Sequence, residues 1–254
     1  MISLAERHQI ILNKIKEEGK VSVPDLCKSL DVSSVTIRKD LKQLEDRNLL
    51  FRVHGGATLN NPYTMDRPVN EKEKLQTDEK SKIGRKAASL VESNDSIIIA
   101  SGTTVLSLAR QIQSQESLTV ITSAIQVAEV LLQNPQIEVL MLGGLLRKSS
   151  SSVMGPYAED ILKDFFCSKL FLGVDGIDLD FGLTTTNIME AHLNRQMINV
   201  SNKTIVLADS SKFGKRGFGK ICDIEEIDQI ITDDGISPHL VERLEAKGVK
   251  VNIV

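Results

Sequence analysis

The chain has 254 residues, 41% of them hydrophobic and 26% charged, with a net charge of −3. That length predicts one or two domains with enough apolar mass for a core. The longest apolar runs, such as Ile97–Ala100 and Val139–Leu142, fall far short of the ~20 residues that span a bilayer, so a membrane protein is excluded.

The N-terminus lacks a basic segment followed by an apolar one, so no secretory signal is expected and the cytoplasm is the expected location. Leu4, His8, Ile11, Leu12 and Ile15 recur at helical spacing, with Gly19 placed to end that helix. Val23–Leu30 reads as a second helix, with Ser22 as its cap and Pro24 in its first turn. Asp31-Val32-Ser33 is a tight turn, and Ser33 or Ser34 caps a third helix that runs from Ser34 to about Asn48. Val35, Ile37, Leu41 and Leu44 read as its apolar stripe, with Arg38, Lys39 and Lys42 off it. Leu49–Val53 and Ala57–Leu59 are strands joined by a turn at His54-Gly55-Gly56.

Helix, helix, turn, helix and a two-stranded ribbon make a winged helix-turn-helix. The chemistry suits double-stranded DNA, because a helix fits the major groove and small polar residues at its start allow close approach. Ser33, Ser34 and Thr36 supply hydroxyls there, and Arg38 and Lys39 supply cations. Arg52, His54 and Gly55 are the wing's candidates for DNA contact. The same pattern also fits a small helical bundle that contacts protein.

The residues themselves carry a closer likeness. Ser33-Ser34-Val35-Thr36-Ile37-Arg38-Lys39-Asp40-Leu41, then Leu44-Glu45, then Arg52-Val53-His54-Gly55-Gly56-Ala57, resemble the winged helix of the DeoR family. These are bacterial repressors of sugar and polyol catabolism. The resemblance implies that Thr36, Arg38 and Lys39 face an operator, and that Asp40, Leu41 and Leu44 pack or cap.

Residues 1–58 are assigned to this DNA-binding domain, 59–77 to a linker and 78–254 to a second domain. The linker holds Pro62, Pro68, Arg67 and the run Glu71-Lys72-Glu73-Lys74, which reads as a solvated face without chemistry. Charge divides with the domains: residues 1–58 carry 10 Lys and Arg against 8 Asp and Glu, and the remainder is net acidic.

From Asp78 onward, helices and strands alternate. Helices are expected over Glu79–Val91, Thr104–Gln113, Ile125–Leu132, Tyr157–Phe166, Asn187–Val200 and Pro238–Lys247. Strands are expected over Ser96–Ala100, Leu118–Ile121, Glu138–Leu142, Lys169–Leu172, Lys203–Leu207, Gln229–Thr232 and Lys250–Ile253. Strands that are apolar throughout argue for an α/β fold with a parallel sheet covered on both faces. Ligands in such sheets bind at the carboxyl ends of the strands.

Small polar residues collect there: Ser101-Gly102-Thr103-Thr104, Thr122-Ser123-Ala124, Gly143–Arg147, Gly173–Ile177 with Gly182–Thr185, and Asp209–Gly214. Backbone N–H groups and cations suit a phosphate, and carboxylates suit hydroxyls, so a phosphosugar-sized ligand is expected. Plain helix capping explains Ser101–Thr104 and Thr122–Ala124 equally well. The serines that follow Lys148 read as a mobile loop. Neither GxGxxG nor GxxxxGK[ST] occurs, so dinucleotide and nucleotide-loop readings lose support.

The likeness to the DeoR family extends over this domain through "SGTT", "GG-x-L-R", "F-x-G-x-D-G-I", "G-x-T-T" and "D-S-S-K-F". The stretch Ser210–Phe218, with Ile230-Ile231-Thr232-Asp233-Asp234, looks most like regulators of galactitol- or amino-sugar-type pathways. The resemblance implies a sensor fold similar to ribose-5-phosphate isomerase and the coenzyme A transferases. It implies that Ser101, Gly102, Thr103 and Thr104 hold phosphate, and that Asp175, Glu190 and Lys212 lie near the sugar. Arg147 completes the expected effector set.

Cys27, Cys167 and Cys222 are far apart, without a CxxC pair, so neither zinc nor disulfides are expected. No cofactor is expected either. The chain has no Trp, which argues against stacking platforms for single-stranded nucleic acid. The reading that follows is a repressor, active as a homodimer or homotetramer, with a phosphorylated sugar or polyol as effector and no catalytic residues. The alternative is a sugar-phosphate isomerase or transferase with an accessory head.

Overall fold

The structure is a computed structural model that describes residues 2–47, 49–53, 55–59, 68–113 and 116–254. Asn48, Pro62, Arg67 and the wing residue His54 therefore lie outside the described residues. The chain divides into two compact units, Met1–Met65 and Asp66–Val254.

The first unit comprises α1 (Leu4–Glu18), β1 (Lys20–Ser22), α2 (Val23–Leu30), α3 (Ser34–Asp46), β2 (Phe51–Val53) and β3 (Gly56–Thr58). Each helix begins at a serine whose hydroxyl accepts a backbone N–H of the first turn: Ser3 from Glu6, Ser22 from Asp25 and Ser33 from Thr36. Gly19, in the left-handed region at φ 76°, ends α1. The wing has three antiparallel strands in the order β1-β3-β2, one more than the sequence suggests. Gly56 makes the third strand possible, because a Cβ there would lie 2.0 Å from the Val21 carbonyl oxygen. Ile11, Ile15, Leu26, Ile37, Leu41, Leu44 and Leu50 are fully buried in the core of this unit.

One expectation for α3 is overturned. Val35 is not part of the apolar stripe but 74% exposed. Ile37, Asp40, Leu41 and Leu44 are the buried set, and Asp40 takes the place expected of an apolar residue. Residues two apart on a helix do not share a face, so Val35 and Ile37 could not both point inward.

The second unit opens with α4 (Val69–Glu73), within the stretch read as linker, and α5 (Thr77–Ala88). There follow β4 (Ser96–Ile99), α6 (Thr103–Ala109), β5 (Leu118–Thr122), α7 (Ile125–Leu131) and β6 (Ile137–Met141). A hairpin of β7 (Leu145–Arg147) and β8 (Ser152–Met154) leads to α8 (Pro156–Leu162) and β9 (Lys169–Gly173). A second hairpin, β10 (Gly176–Asp178) and β11 (Gly182–Thr185), leads to α9 (Ile188–Asn199) and β12 (Thr204–Leu207). The chain ends with β13 (Gly219–Cys222), β14 (Gln229–Thr232), α10 (Pro238–Ala246) and β15 (Lys250–Ile253).

Seven strands form one parallel sheet in the order β15-β14-β12-β9-β4-β5-β6. Alternation along each strand feeds two cores. Ile98, Leu170, Leu172, Val206 and Ile230 pack on one face with Leu162 of α8, Leu193 and Met197 of α9 and Leu244 of α10. Ile97, Ile99, Phe171, Ile205 and Ile231 pack on the other with Ile83 of α5, Leu106 of α6 and Leu131 of α7. Strands buried on both faces explain the unbroken apolar runs of the sequence. From β4 the chain builds outward through β5 and β6, then returns to lay β9 on the opposite flank of β4. That reversal opens a crevice beyond the carboxyl ends of β4 and β9.

Candidate functional site

In the first unit, the surface of α3 is polar and cationic. Ser33, Ser34, Arg38, Lys39 and Lys42 are exposed, and none of these three cations forms an ion pair among the described residues. Thr36 is half-buried, with its hydroxyl 2.9 Å from that of Ser33. Arg52 lies on β2, where its backbone N–H donates to Glu45 at 2.8 Å. Gly55, exposed at φ 76°, forms the wing turn, and its carbonyl accepts the Val23 N–H at 2.7 Å. The helix is fastened from behind. Arg7 of α1 donates from Nε and Nη2 to the buried Asp40 carboxylate at 2.5 and 2.9 Å.

In the second unit, one pocket sits in the crevice between β4 and β9. All eight predicted effector residues line it: Ser101, Gly102, Thr103, Thr104, Arg147, Asp175, Glu190 and Lys212. Their convergence follows from topology. Ser101–Thr104 leave β4 and enter α6, and Asp175 follows β9. Arg147 ends β7, Glu190 lies in the first turn of α9, and Lys212 lies in a 3-10 turn after β12. Gly102 makes the turn into α6 at φ 131°, a conformation that a side chain would strain.

Two carboxylates organise the pocket. Glu190 accepts from the Ser101 hydroxyl at 2.7 Å and from the Thr185 hydroxyl at 3.3 Å, and it pairs with Arg147. Burial pushes its carboxyl above the ordinary range, outweighing the Arg147 cation and the Ser101 hydrogen bond. Asp175 accepts from Lys72 Nζ at 2.8 Å, the Thr185 hydroxyl at 3.1 Å and the Thr186 N–H at 3.2 Å. Burial also pushes this carboxyl up, but Lys72, Lys212 and the hydrogen bonds outweigh it and hold it below the ordinary range. Lys212 has no ion pair among the described residues.

Sequence reasoning missed Lys72 and Lys80, and it singled out Gly182–Thr185 without giving Thr185 a role. Lys72 belongs to the charge run of α4, read as a solvated face, yet it meets Asp175 across 103 residues of chain. Buried Lys80 of α5 donates to the carbonyls of Lys72 and Leu75, each at 2.6 Å, so it fastens the end of α4. Burial pushes its ammonium down to about 8. Of the strand ends singled out, Thr122-Ser123-Ala124 does not reach the pocket. There the Thr122 hydroxyl accepts the Ala124 N–H at 3.1 Å, a local turn ahead of α7. Ser149 to Ser151, in the run read as a mobile loop, form the turn between β7 and β8, and the Ser149 carbonyl accepts the Val69 N–H at 2.6 Å.

Cys167 and Cys222 are buried, and burial pushes their thiols up to about 11 and about 12, which leaves them unreactive. Among the described residues, no group of three or more His, Cys, Asp or Glu side chains is arranged to hold a metal. No helix among them is long and apolar enough to cross a membrane.

A winged helix-turn-helix unit, joined in one chain to a parallel-sheet unit with a charged pocket, defines a DNA-binding regulator that carries its own sensor. Residues 7–63 match the DeoR-like helix-turn-helix domain, and residues 75–234 match the DeoR C terminal sensor domain. The putative aga operon transcriptional repressor of Escherichia coli O157:H7 is 38% identical over 252 residues, spanning 98% of this chain and 94% of its own length. The HTH-type transcriptional repressor GlcR of Bacillus subtilis (strain 168) is 33% identical over 246 residues, spanning 97% of this chain and 95% of its own. The chain belongs to the DeoR family of transcriptional regulators. Ribose 5-phosphate isomerase A of Methanocaldococcus jannaschii covers 54% of this chain and 54% of its own at 17% identity, with a TM-score of 0.39, a likeness too slight to bear on function.

Proposed function

We propose that this regulator represses a sugar or polyol catabolic operon in the cytoplasm, and that a phosphorylated sugar or polyol in the sensor pocket releases it from double-stranded operator DNA. The observation that carries the effector is the pairing within the pocket. Lys72 and Arg147 are matched to Asp175 and Glu190, and Lys212 is a cation left over beside the Ser101–Thr104 loop. A surplus cation beside loop N–H groups suits a phosphate, and the two carboxylates suit sugar hydroxyls. Repression is the role named for the Escherichia coli and Bacillus subtilis relatives.

On this reading Ser33, Ser34, Thr36, Arg38, Lys39, Arg52, His54 and Gly55 meet the operator. A single winged helix covers a short site, so a homodimer or homotetramer places two heads on paired half-sites. Release requires that the effector bind the DNA-free form more tightly, and the coupling is then reciprocal. Asp175, Glu190 and Lys212 serve binding, and no catalytic step is assigned to them.

The test is a thermal-shift screen of the full chain against phosphorylated hexoses, pentoses, amino sugars and polyols beside their unphosphorylated forms. A ligand of the folded state raises Tm by mass action. The expected result is a shift from one phosphorylated compound and none from its free sugar. Asp175→Ala and Lys212→Ala are expected to retain operator binding and lose the response. Intact responses in both variants would remove the pocket assignment.

A further inference from the structure

The corrected position of Val35 calls for an explanation. A lone exposed valine is ordinary on a protein surface. This one, however, sits at the centre of the face that α3 turns away from its own core. At 100° per residue it lies about 180° from the middle of the buried set Ile37, Asp40, Leu41 and Leu44. Arg38, Lys39 and Lys42, three, four and seven residues further on, surround it on the same face, and all are exposed. Ser33 and Ser34 flank it at the start of the helix.

Nothing in the fold of the first unit asks for valine there. It is 74% exposed, and a β-branched residue lowers helix propensity. The surrounding cations, without acidic partners among the described residues, fit a polyanion rather than an apolar protein surface. In the major groove, the start of a recognition helix meets the base edges. The apolar group displayed on those edges is the C5 methyl of thymine, and small apolar side chains are its complement.

We propose that Val35 is a specificity-determining residue that packs against the C5 methyl of one thymine in each operator half-site. Arg38, Lys39 and Lys42 supply attraction to the phosphates around it. The proposal rests on the DNA-binding role and adds to it a particular base and a particular atom.

The experiment uses the full chain. Duplexes captured from a random-sequence pool define the site. Each thymine of that site is then replaced in turn by deoxyuridine, which removes the methyl and leaves pairing and charge unchanged. At one position per half-site the replacement is expected to weaken wild-type binding roughly four-fold, the worth of about one buried methylene. Val35→Ala is expected to bind the thymine and deoxyuridine duplexes equally at that position. Val35→Thr, which keeps a methyl on Cβ, is expected to retain discrimination.

Tolerance of deoxyuridine at every position would overturn the proposal. So would an undiminished thymine preference in Val35→Ala, even with wild-type operator binding intact. Failure of the wild-type chain to enrich any duplex would overturn the DNA-binding role itself, and the proposal with it. Thermal unfolding of each variant separates lost folding from lost recognition.

Discussion

The outer face of α3 and the pocket of the sensor unit both gather cations, but they hold them differently. Arg38, Lys39 and Lys42 are exposed and lack ion pairs among the described residues. In the pocket, Lys72 and Arg147 are each matched to a largely buried carboxylate. The first arrangement leaves positive charge for a polyanion, so its affinity falls steeply with salt. The second pairs two of its three cations in advance and leaves only Lys212 over. On the proposed function, a ligand there exchanges partners within an existing network, so its selectivity comes from geometry as well as from charge.

The largest test of this contrast is Arg147→Ala. It leaves Glu190 buried without its cation and is expected to cost the sensor unit about 3–5 kcal/mol, read as a lower urea midpoint. The double variant Arg147→Met, Glu190→Met is expected to recover most of that loss. An unchanged midpoint in the single variant would break the comparison. Arg38→Ala is its counterpart. It is expected to leave stability within about 0.5 kcal/mol but to weaken operator binding by about 1–3 kcal/mol and to reduce the salt slope by roughly one. Anisotropy titrations at several salt concentrations measure both quantities. Equal losses in folding and DNA binding would show that Arg38 is structural.

Lys80 sharpens the contrast on the smallest scale, because it is a buried cation of the sensor unit held by carbonyls rather than carboxylates. Its ammonium is pushed down to about 8 from an ordinary 10.5. Between those values the unfolded chain holds a proton that the folded chain has shed, so this group makes stability rise with pH across that window. Below about pH 8 both states are protonated and the slope vanishes. Lys80→Met is expected to flatten the rise of Tm between pH 8 and 10. An identical slope in the variant would remove Lys80 as its source.

Much of this was legible in the sequence, for identifiable reasons. The caps Ser22 and Ser33 and the apolar spacing of α1 are local signals, and the structure has those helices where the signals put them. The rule that ligands meet the carboxyl ends of parallel strands pointed to Ser101–Thr104, Asp175 and Lys212, while Glu190 came only from the family resemblance; all of them line one crevice. What escaped was either non-local or ambiguous. Lys72 looks like any charge in a solvated run until β9 delivers Asp175 beside it. Strand β1 is three residues long, too short for an alternating pattern to register. Val35 was read inward because an apolar residue is ordinarily counted as core, although its offset from Ile37 already argued otherwise.

The strand order also bears on the history of each newly made molecule. Central strands β4 and β9 are neighbours in space but are separated in sequence by two further strands, a hairpin and three helices. Closing so long a loop is slow, and the crevice exists only after it has closed. The first unit, built from contacts among its own residues, leaves the ribosome earlier and needs no such closure. A nascent chain therefore acquires the surface that reads DNA before it acquires the pocket of the sensor unit. On the proposed function, response to the effector is the last property this chain gains as it folds.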